Sequence, residues 1–309
     1  MKTIGKWLAR ILLVILTLLA LIAVTVAVVF TQLDKTNGSI ESSGMRRTYQ
    51  LHVPDNLDLS KPVPLVISLH GFAEWPAHQM QISGWNDLAD EQGFLVVYPS
   101  GTGFPKRWKA GGQPDGAVDK WQDVTFISDL IDELQKKYNI DRVRIYANGL
   151  SNGGGMAYLL GCRLSERIAA VGSVAGAFVF PLEECQPSRP VPMIAFHGTA
   201  DPIVPYQGGP SQDFIFPSMP QWMADRAQMN GCNAAPTQLP ASGEVSGVRY
   251  SGCRQEADVV FYSIQGGGHS WPGGEPLPEW IVGHTTKDIQ ATRTMWEFFQ
   301  QFSMNVESK

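Results

Sequence analysis

The sequence predicts one doubly wound α/β domain with a mostly parallel sheet over residues 45–309, preceded by an apolar N-terminal segment. Two observations carry this. Short apolar runs bounded by Gly, Pro or Asn alternate with helical patterns through residues 45–309, as in a sheet covered by helices on both faces. The first thirty residues instead hold one unbroken apolar run with three cations, Lys2, Lys6 and Arg10, and no acid. The whole chain has 309 residues, 44% hydrophobic and 17% charged, a composition that can build a packed core. Its net charge of −5 leaves no basic excess for a phosphate backbone, so nucleic acid is not an expected partner.

Taken in order, Ile11–Phe30 is uncharged and almost wholly apolar. At about 1.5 Å per residue it spans roughly the 30 Å of a bilayer's hydrocarbon core. The preceding cations place the amino terminus in the cytoplasm and send the rest of the chain across, to the periplasmic or extracellular side. An uncleaved anchor is the reading; the alternative is a cleavable signal peptide, for which Thr25-Val26-Ala27 is a mediocre site. The first cysteine is Cys162, which excludes a lipoprotein anchor here. Residues 31–44, polar and rich in Ser and Gly, read as a linker.

Buried strands follow at Pro64–His70, Phe94–Tyr98, Val143–Ala147, Ile168–Val174, Val191–Phe196 and Val259–Ile264, all short and largely aliphatic. Phe126, Leu130, Leu134 and Tyr138, with Ile127 and Ile131, form a helical stripe with Asp123 ahead as a cap. Further helices are expected from Met156 to Leu160, from Met219 to Arg226 with a stop at Asn230-Gly231, and around Met295, Phe298, Phe299 and Phe302. Export makes the four cysteines, Cys162, Cys185, Cys232 and Cys253, legible as two disulfides. Of three connectivities, sequential pairing closes two short loops; buried free thiols are the alternative.

The sharpest chemical signal is Gly149-Leu-Ser-Asn-Gly153, directly after a strand and before a helix. That context suits a sharp turn that lifts the Ser151 hydroxyl clear of the sheet as a nucleophile. A serine needs a base and an orienting acid, expected downstream in the order acid, then His. Asp201, in His197-Gly-Thr-Ala-Asp-Pro202, and His269, in Gly266-Gly-Gly-His-Ser-Trp-Pro272, both follow strand carboxyl ends, where such sheets place their sites. His284 is the rival base and Asp258 the rival acid. His197 is expected to shape the turn presenting Asp201. A developing oxyanion needs two backbone donors, here the N–H groups of Asn152 and of Phe72 in His70-Gly71-Phe72. Trp108 and Trp271 are candidates to line the substrate pocket. There is no P-loop, dinucleotide glycine pattern or zinc spacing, so no metal and no cofactor is expected.

These motifs together resemble the extracellular polyhydroxybutyrate depolymerase and feruloyl esterase-like α/β-hydrolases, related to carbohydrate esterase family one. The resemblance rests on Leu69-His-Gly71, Asp123-Val-Thr-Phe126, Arg144 to Gly154, Ala175-Gly176, His197 to Pro202 and Gly266 to Gly274. It extends from about residue 45 to 302. It implies an α/β-hydrolase fold, the triad Ser151, Asp201 and His269, and the sequential disulfides Cys162–Cys185 and Cys232–Cys253. It further implies a serine esterase working through an acyl-enzyme on hydroxyalkanoate polyesters or on feruloyl or acetyl esters. Acyl transfer or peptide cleavage by the same triad, or a non-catalytic envelope-binding role, are the alternatives. Gly155, and Phe72-Ala-Glu74 after His-Gly, depart from the family's common pattern. Oligomeric state is not legible.

Overall fold

The computed structural model describes residues 2–33, 35–111, 119–211 and 214–304. At the amino terminus α1 (Lys2–Leu33) is one continuous helix. Its apolar side chains from Ile11 to Val24 are about half exposed. Among the described residues no helix is long and apolar enough to cross a membrane, so the expected membrane segment finds no support there. The expected span, Ile11–Phe30, runs past Thr25 into side chains that lie outside the described residues.

Residues 36 onward form a separate compact unit. Its elements in chain order are β1 (Gly38–Ser42), β2 (Met45–His52), β3 (Val63–Leu69), α2 (Pro76–Ser83), α3 (Trp85–Gln92), β4 (Leu95–Pro99), α4 (Gln122–Lys137), β5 (Ile140–Leu150), α5 (Asn152–Arg163), β6 (Ala170–Val174) and β7 (Met193–Gly198). A small hairpin, β8 (Gly209–Ser211) and β9 (Phe214–Phe216), precedes α6 (Met219–Met229). Then come β10 (Thr237–Ser242), β11 (Val245–Tyr250), β12 (Val259–Ile264), α7 (Glu279–Val282) and α8 (Ala291–Phe299).

Ten strands form one sheet in the order β1-β2-β4-β3-β5-β6-β7-β12-β11-β10. The six from β4 to β12 are parallel, and an antiparallel ribbon closes each edge. Alternation along β3 explains the two layers. Leu65, Ile67 and Leu69 face α4, α5 and α6 in one core cluster, while Val66 faces α2, α3 and α8 in the other. The fold is therefore a doubly wound, mostly parallel α/β sheet, with strands longer than their apolar runs suggest, Ile140–Leu150 above all.

Two expectations need correction, and one ribbon goes beyond them. β1 lies inside residues 31–44, read as linker, and pairs in full register with β2 from Gly38↔Tyr49 to Ser42↔Met45. It is polar because it is an edge strand with one face in water, and Gly38 is required because any Cβ there would strike the Tyr49 ring at 2.2 Å. Asp123 does not cap α4. It sits in the first turn, buried against Arg47 at 2.8 Å, and also accepts the Lys109 N–H at 2.8 Å. The outer ribbon β10–β11 has a largely exposed, polar outer strand and escapes a reading based on apolar runs. Both sequential disulfides, Cys162–Cys185 and Cys232–Cys253, are formed.

Candidate active site

Ser151 stands between the carboxyl end of β5 and the first turn of α5, with φ 54° and ψ −118°. A left-handed φ in a non-glycine residue costs of order 1–3 kcal/mol and persists only where surroundings enforce it. They do so through the flanking glycines. A Cβ on Gly149 would meet the Gly153 carbonyl at 2.5 Å, and one on Gly153 would meet the Leu69 carbonyl oxygen at 2.2 Å. Gly155 allows an equally close approach to Ala177. The turn thus packs directly on the end of β3. Ser151 is half-buried and its hydroxyl makes no hydrogen bond among the described residues.

Asp201 follows β7 and His269 follows β12, respectively two and three strands from β5, roughly 10 and 14 Å along the sheet. The structure brings these two together: His269 Nδ1 donates to Asp201 Oδ2 at 2.8 Å. Asp201 Oδ1 accepts the N–H groups of Ile203 and Val204, each at 2.8 Å. His197 Nε2 donates to the Val204 carbonyl at 2.9 Å and lies 3.3 Å from Asp201 Oδ2, so it does shape this turn. Burial works to raise the Asp201 pKa, but His269 and His197 outweigh it, holding the carboxyl well below its ordinary range. An ionised acceptor on Nδ1 leaves His269 Nε2 with its lone pair free to take a proton. No hydrogen bond joins His269 to Ser151 among the described residues.

The turn after β3 offers three successive amides. Gly71 N–H is bound by Glu74 Oε2 at 2.9 Å, and Ala73 N–H by the Lys106 carbonyl at 2.8 Å. The Phe72 N–H between them has no partner among the described residues. Asn152, as the first residue of α5, likewise carries an amide that the helix cannot satisfy. The Asn152 side chain has a use that sequence reasoning missed. Its Oδ1 accepts the Trp108 N–H at 2.6 Å and its Nδ2 donates to the Trp108 carbonyl at 3.0 Å, fastening the loop after β4 to the elbow.

Trp108 and Trp271 are buried, 2% and 1% exposed. The Trp108 indole donates to the His70 carbonyl at 3.0 Å, and that of Trp271 to Thr292 Oγ1 at 2.9 Å. Both brace loops, and neither opens a ring to solvent. The same holds for His70, whose Nε2 accepts the Gly101 N–H at 2.9 Å, so its proton sits on Nδ1 and is donated to the Gly71 carbonyl at 2.7 Å. Burial pushes the His70 pKa down to about 4.

Acid stability should follow. Because the folded protein resists protonating His70, the unfolded chain binds more protons between pH 6.5 and about 4, and stability falls as pH drops through that window by about 3 kcal/mol. Urea unfolding at pH 7 and pH 4.5 checks this against His70→Asn, which should show a shallower pH dependence; equal slopes would sink the idea.

The rival residues are engaged elsewhere. His284 is exposed and paired with Glu244 at 3.0 Å, and Asp258 is bound by Arg249 at 2.7 Å. His52 pairs with Asp90. Among the described residues no cluster of His, Cys, Asp or Glu could hold a metal ion.

Comparison with known proteins places the chain in a family. Residues 47–188 match the esterase PHB depolymerase family model. The chain is 31% identical over 280 residues to NocK of Nocardia uniformis subsp. tsuyamanensis, a protein described as a putative esterase, covering 83% of this chain and 80% of that one. It is 29% identical to feruloyl esterase C of Emericella nidulans, covering 85% and 87%. A 36% match to the bifunctional acetylxylan esterase/xylanase XynS20E of Neocallimastix patriciarum covers 53% of this chain but spans only 23% of that longer protein. Among solved structures, the acetyl xylan esterase from Aspergillus awamori shares the fold, with a TM-score of 0.61 over 85% of this chain and 98% of that one at 16% identity. The chain is a carboxylic ester hydrolase and belongs to the esterase PHB depolymerase family.

Proposed function

We propose that Ser151 is the nucleophile, His269 the general base and acid, and Asp201 the group that orients the imidazole and balances its charge. In the first half-reaction His269 Nε2 takes the hydroxyl proton as Ser151 Oγ bonds to the ester carbonyl carbon. The tetrahedral oxyanion accepts hydrogen bonds from the Phe72 and Asn152 amides. Collapse expels the alcohol, which receives the proton from His269, and leaves an acyl-Ser151. Water, deprotonated by His269, then releases the acid and restores the serine. The His269–Asp201 hydrogen bond at 2.8 Å is the observation that carries this reading. It fixes the tautomer the base needs, on the same sheet edge as the strained Ser151.

Exposed apolar side chains favour an extended, poorly soluble ester over a small soluble one. Among the described residues beyond 36 they are Phe72, Phe104, Phe214, Ile215, Trp280 and Ile281, 47–87% exposed. All stand on segments that leave the carboxyl ends of the parallel strands, the end that bears Ser151. Exposed apolar side chains gathered at that end of the sheet are where an apolar substrate would be met. A hydroxyalkanoate polyester, or an aryl ester held on a polymer, fits that rim; a feruloyl ester is what the Emericella relative is named for. The disulfides and the apolar, cation-led N-terminal sequence support an exported domain, secreted or held at the membrane by Ile11–Phe30.

The test is to label the protein with a fluorophosphonate and then compare turnover of p-nitrophenyl acetate with that of a suspended aliphatic polyester and methyl ferulate. Labelling at Ser151 with ester cleavage is expected, together with faster release from the aryl or polymeric substrate. Absence of label would support a binding module instead. Transfer to an added alcohol in preference to water would support the acyltransferase alternative.

A further inference from the structure

We propose that Glu74 is a positioning residue that dedicates the Phe72 amide to the oxyanion, an inference that rests on the reading of Phe72 above. The turn 71–73 presents three consecutive N–H groups, and the reaction can use one. Lys106 removes Ala73 from competition by a backbone bond, with Ala73 held at φ 60°. Glu74 removes Gly71 by a charge-assisted bond at 2.9 Å. That bond closes the turn on itself and holds the His70–Gly71 peptide, while the His70 Nδ1–H on the Gly71 carbonyl at 2.7 Å holds the next one, Gly71–Phe72. With both ends of Gly71 fixed the Phe72 N–H has one direction, and loss of the Glu74 carboxylate frees one of those ends. Gly71 is committed to this role, because a Cβ there would lie 3.0 Å from Glu74 Oε2.

A carboxylate this near a developing negative charge would ordinarily oppose catalysis. His78, on the first turn of α2, offsets it, with Nδ1 3.5 Å from Glu74 Oε1. The two are coupled in the expected sense. Burial works to raise the Glu74 pKa, but His78 and the Gly71 N–H hold it below its ordinary value. The hydrogen bond to Glu74 raises His78, against burial and with added help from the Glu74 and Glu275 charges. The amino end of α2, which starts at Pro76, adds a favourable partial positive charge. Glu74 thus steers the turn while its own charge is largely compensated.

The experiment compares Glu74→Ala, Glu74→Gln and Ser151→Ala with the unaltered full chain on p-nitrophenyl butyrate, alongside inhibition by an alkyl boronic acid that mimics the tetrahedral state. Glu74→Ala is expected to lower kcat about 10- to 100-fold, less than outright loss of an oxyanion donor, with KM within about twofold. The boronate should weaken by the same factor as kcat/KM. Glu74→Gln keeps an acceptor for Gly71 N–H and should recover to within about fivefold of the parent. Three outcomes would overturn the proposal: Glu74→Ala within twofold of the parent in kcat, Glu74→Gln as impaired as Glu74→Ala, or a fall in kcat without weaker boronate binding. If instead Ser151→Ala retains activity, the nucleophile assignment itself fails, which separates the two.

Discussion

Ser151→Ala is expected to lower kcat for p-nitrophenyl butyrate by about 10⁶-fold, because the substitution removes the proposed nucleophile. The remaining activity would reflect binding and the oxyanion amides alone. The fold should survive the change. Ser151 Oγ makes no hydrogen bond among the described residues, and the strained backbone at φ 54° is set by Gly149 and Gly153 rather than by the hydroxyl. Alanine tolerates that φ about as badly as serine, so thermal unfolding should shift by no more than a few degrees. Stopped-time hydrolysis with differential scanning calorimetry measures both. Activity within a hundredfold of the parent would remove Ser151 from the mechanism.

Asp201→Asn should cost roughly 10⁴-fold in kcat with little change in KM, since the geometry persists and the tautomer does not. The amide oxygen can still accept from Ile203 and Val204, which bind Oδ1 at 2.8 Å in the parent. The amide nitrogen, however, is a donor and meets His269 Nδ1, which must then become the acceptor and move its proton to Nε2. There the proton blocks removal of the serine hydrogen. A linked expectation concerns pH. Because His269 and His197 hold Asp201 ionised to well below its ordinary range, the acid limb of kcat/KM should follow a single ionisation. Two protons on that limb, or less than a tenfold loss in Asp201→Asn, would contradict the assignment.

Much of this was legible in the sequence because the chemistry and the fold share one pattern. A buried parallel strand must be apolar, and a turn that ends it on a serine at φ 54° must be glycine-flanked, so Gly149-Leu-Ser-Asn-Gly153 announces the strand end and the turn together. The places of Asp201 and His269, polar residues just past apolar strands, were readable for the same reason, and the structure joins them at 2.8 Å. What escaped was set by contact rather than pattern. β1 is polar at an edge, and its place in the sheet depends on Tyr49 covering Gly38. Asp123 looks like a cap until Arg47, distant in sequence, takes its carboxylate. Trp108 and Trp271 look like pocket walls until their indole N–H groups find internal partners. Glu74 carries no motif, and only the closure of the turn onto Gly71 shows its use.

The direction of β1 has a consequence for how the domain can be mounted. β1 runs the same way as β4, and Thr36 lines a cleft with His52, Lys137 and Tyr138, beside the start of β5. Ser151 lies past the opposite end of that strand, Ile140–Leu150; its register with β3, Val63↔Ile140 to Leu69↔Gly149, puts the two ends about 20–25 Å apart at about 3.3 Å per residue. Within residues 36 onward, Thr36 and the proposed nucleophile therefore mark opposite ends of one sheet, and whatever touches one end leaves the other uncovered.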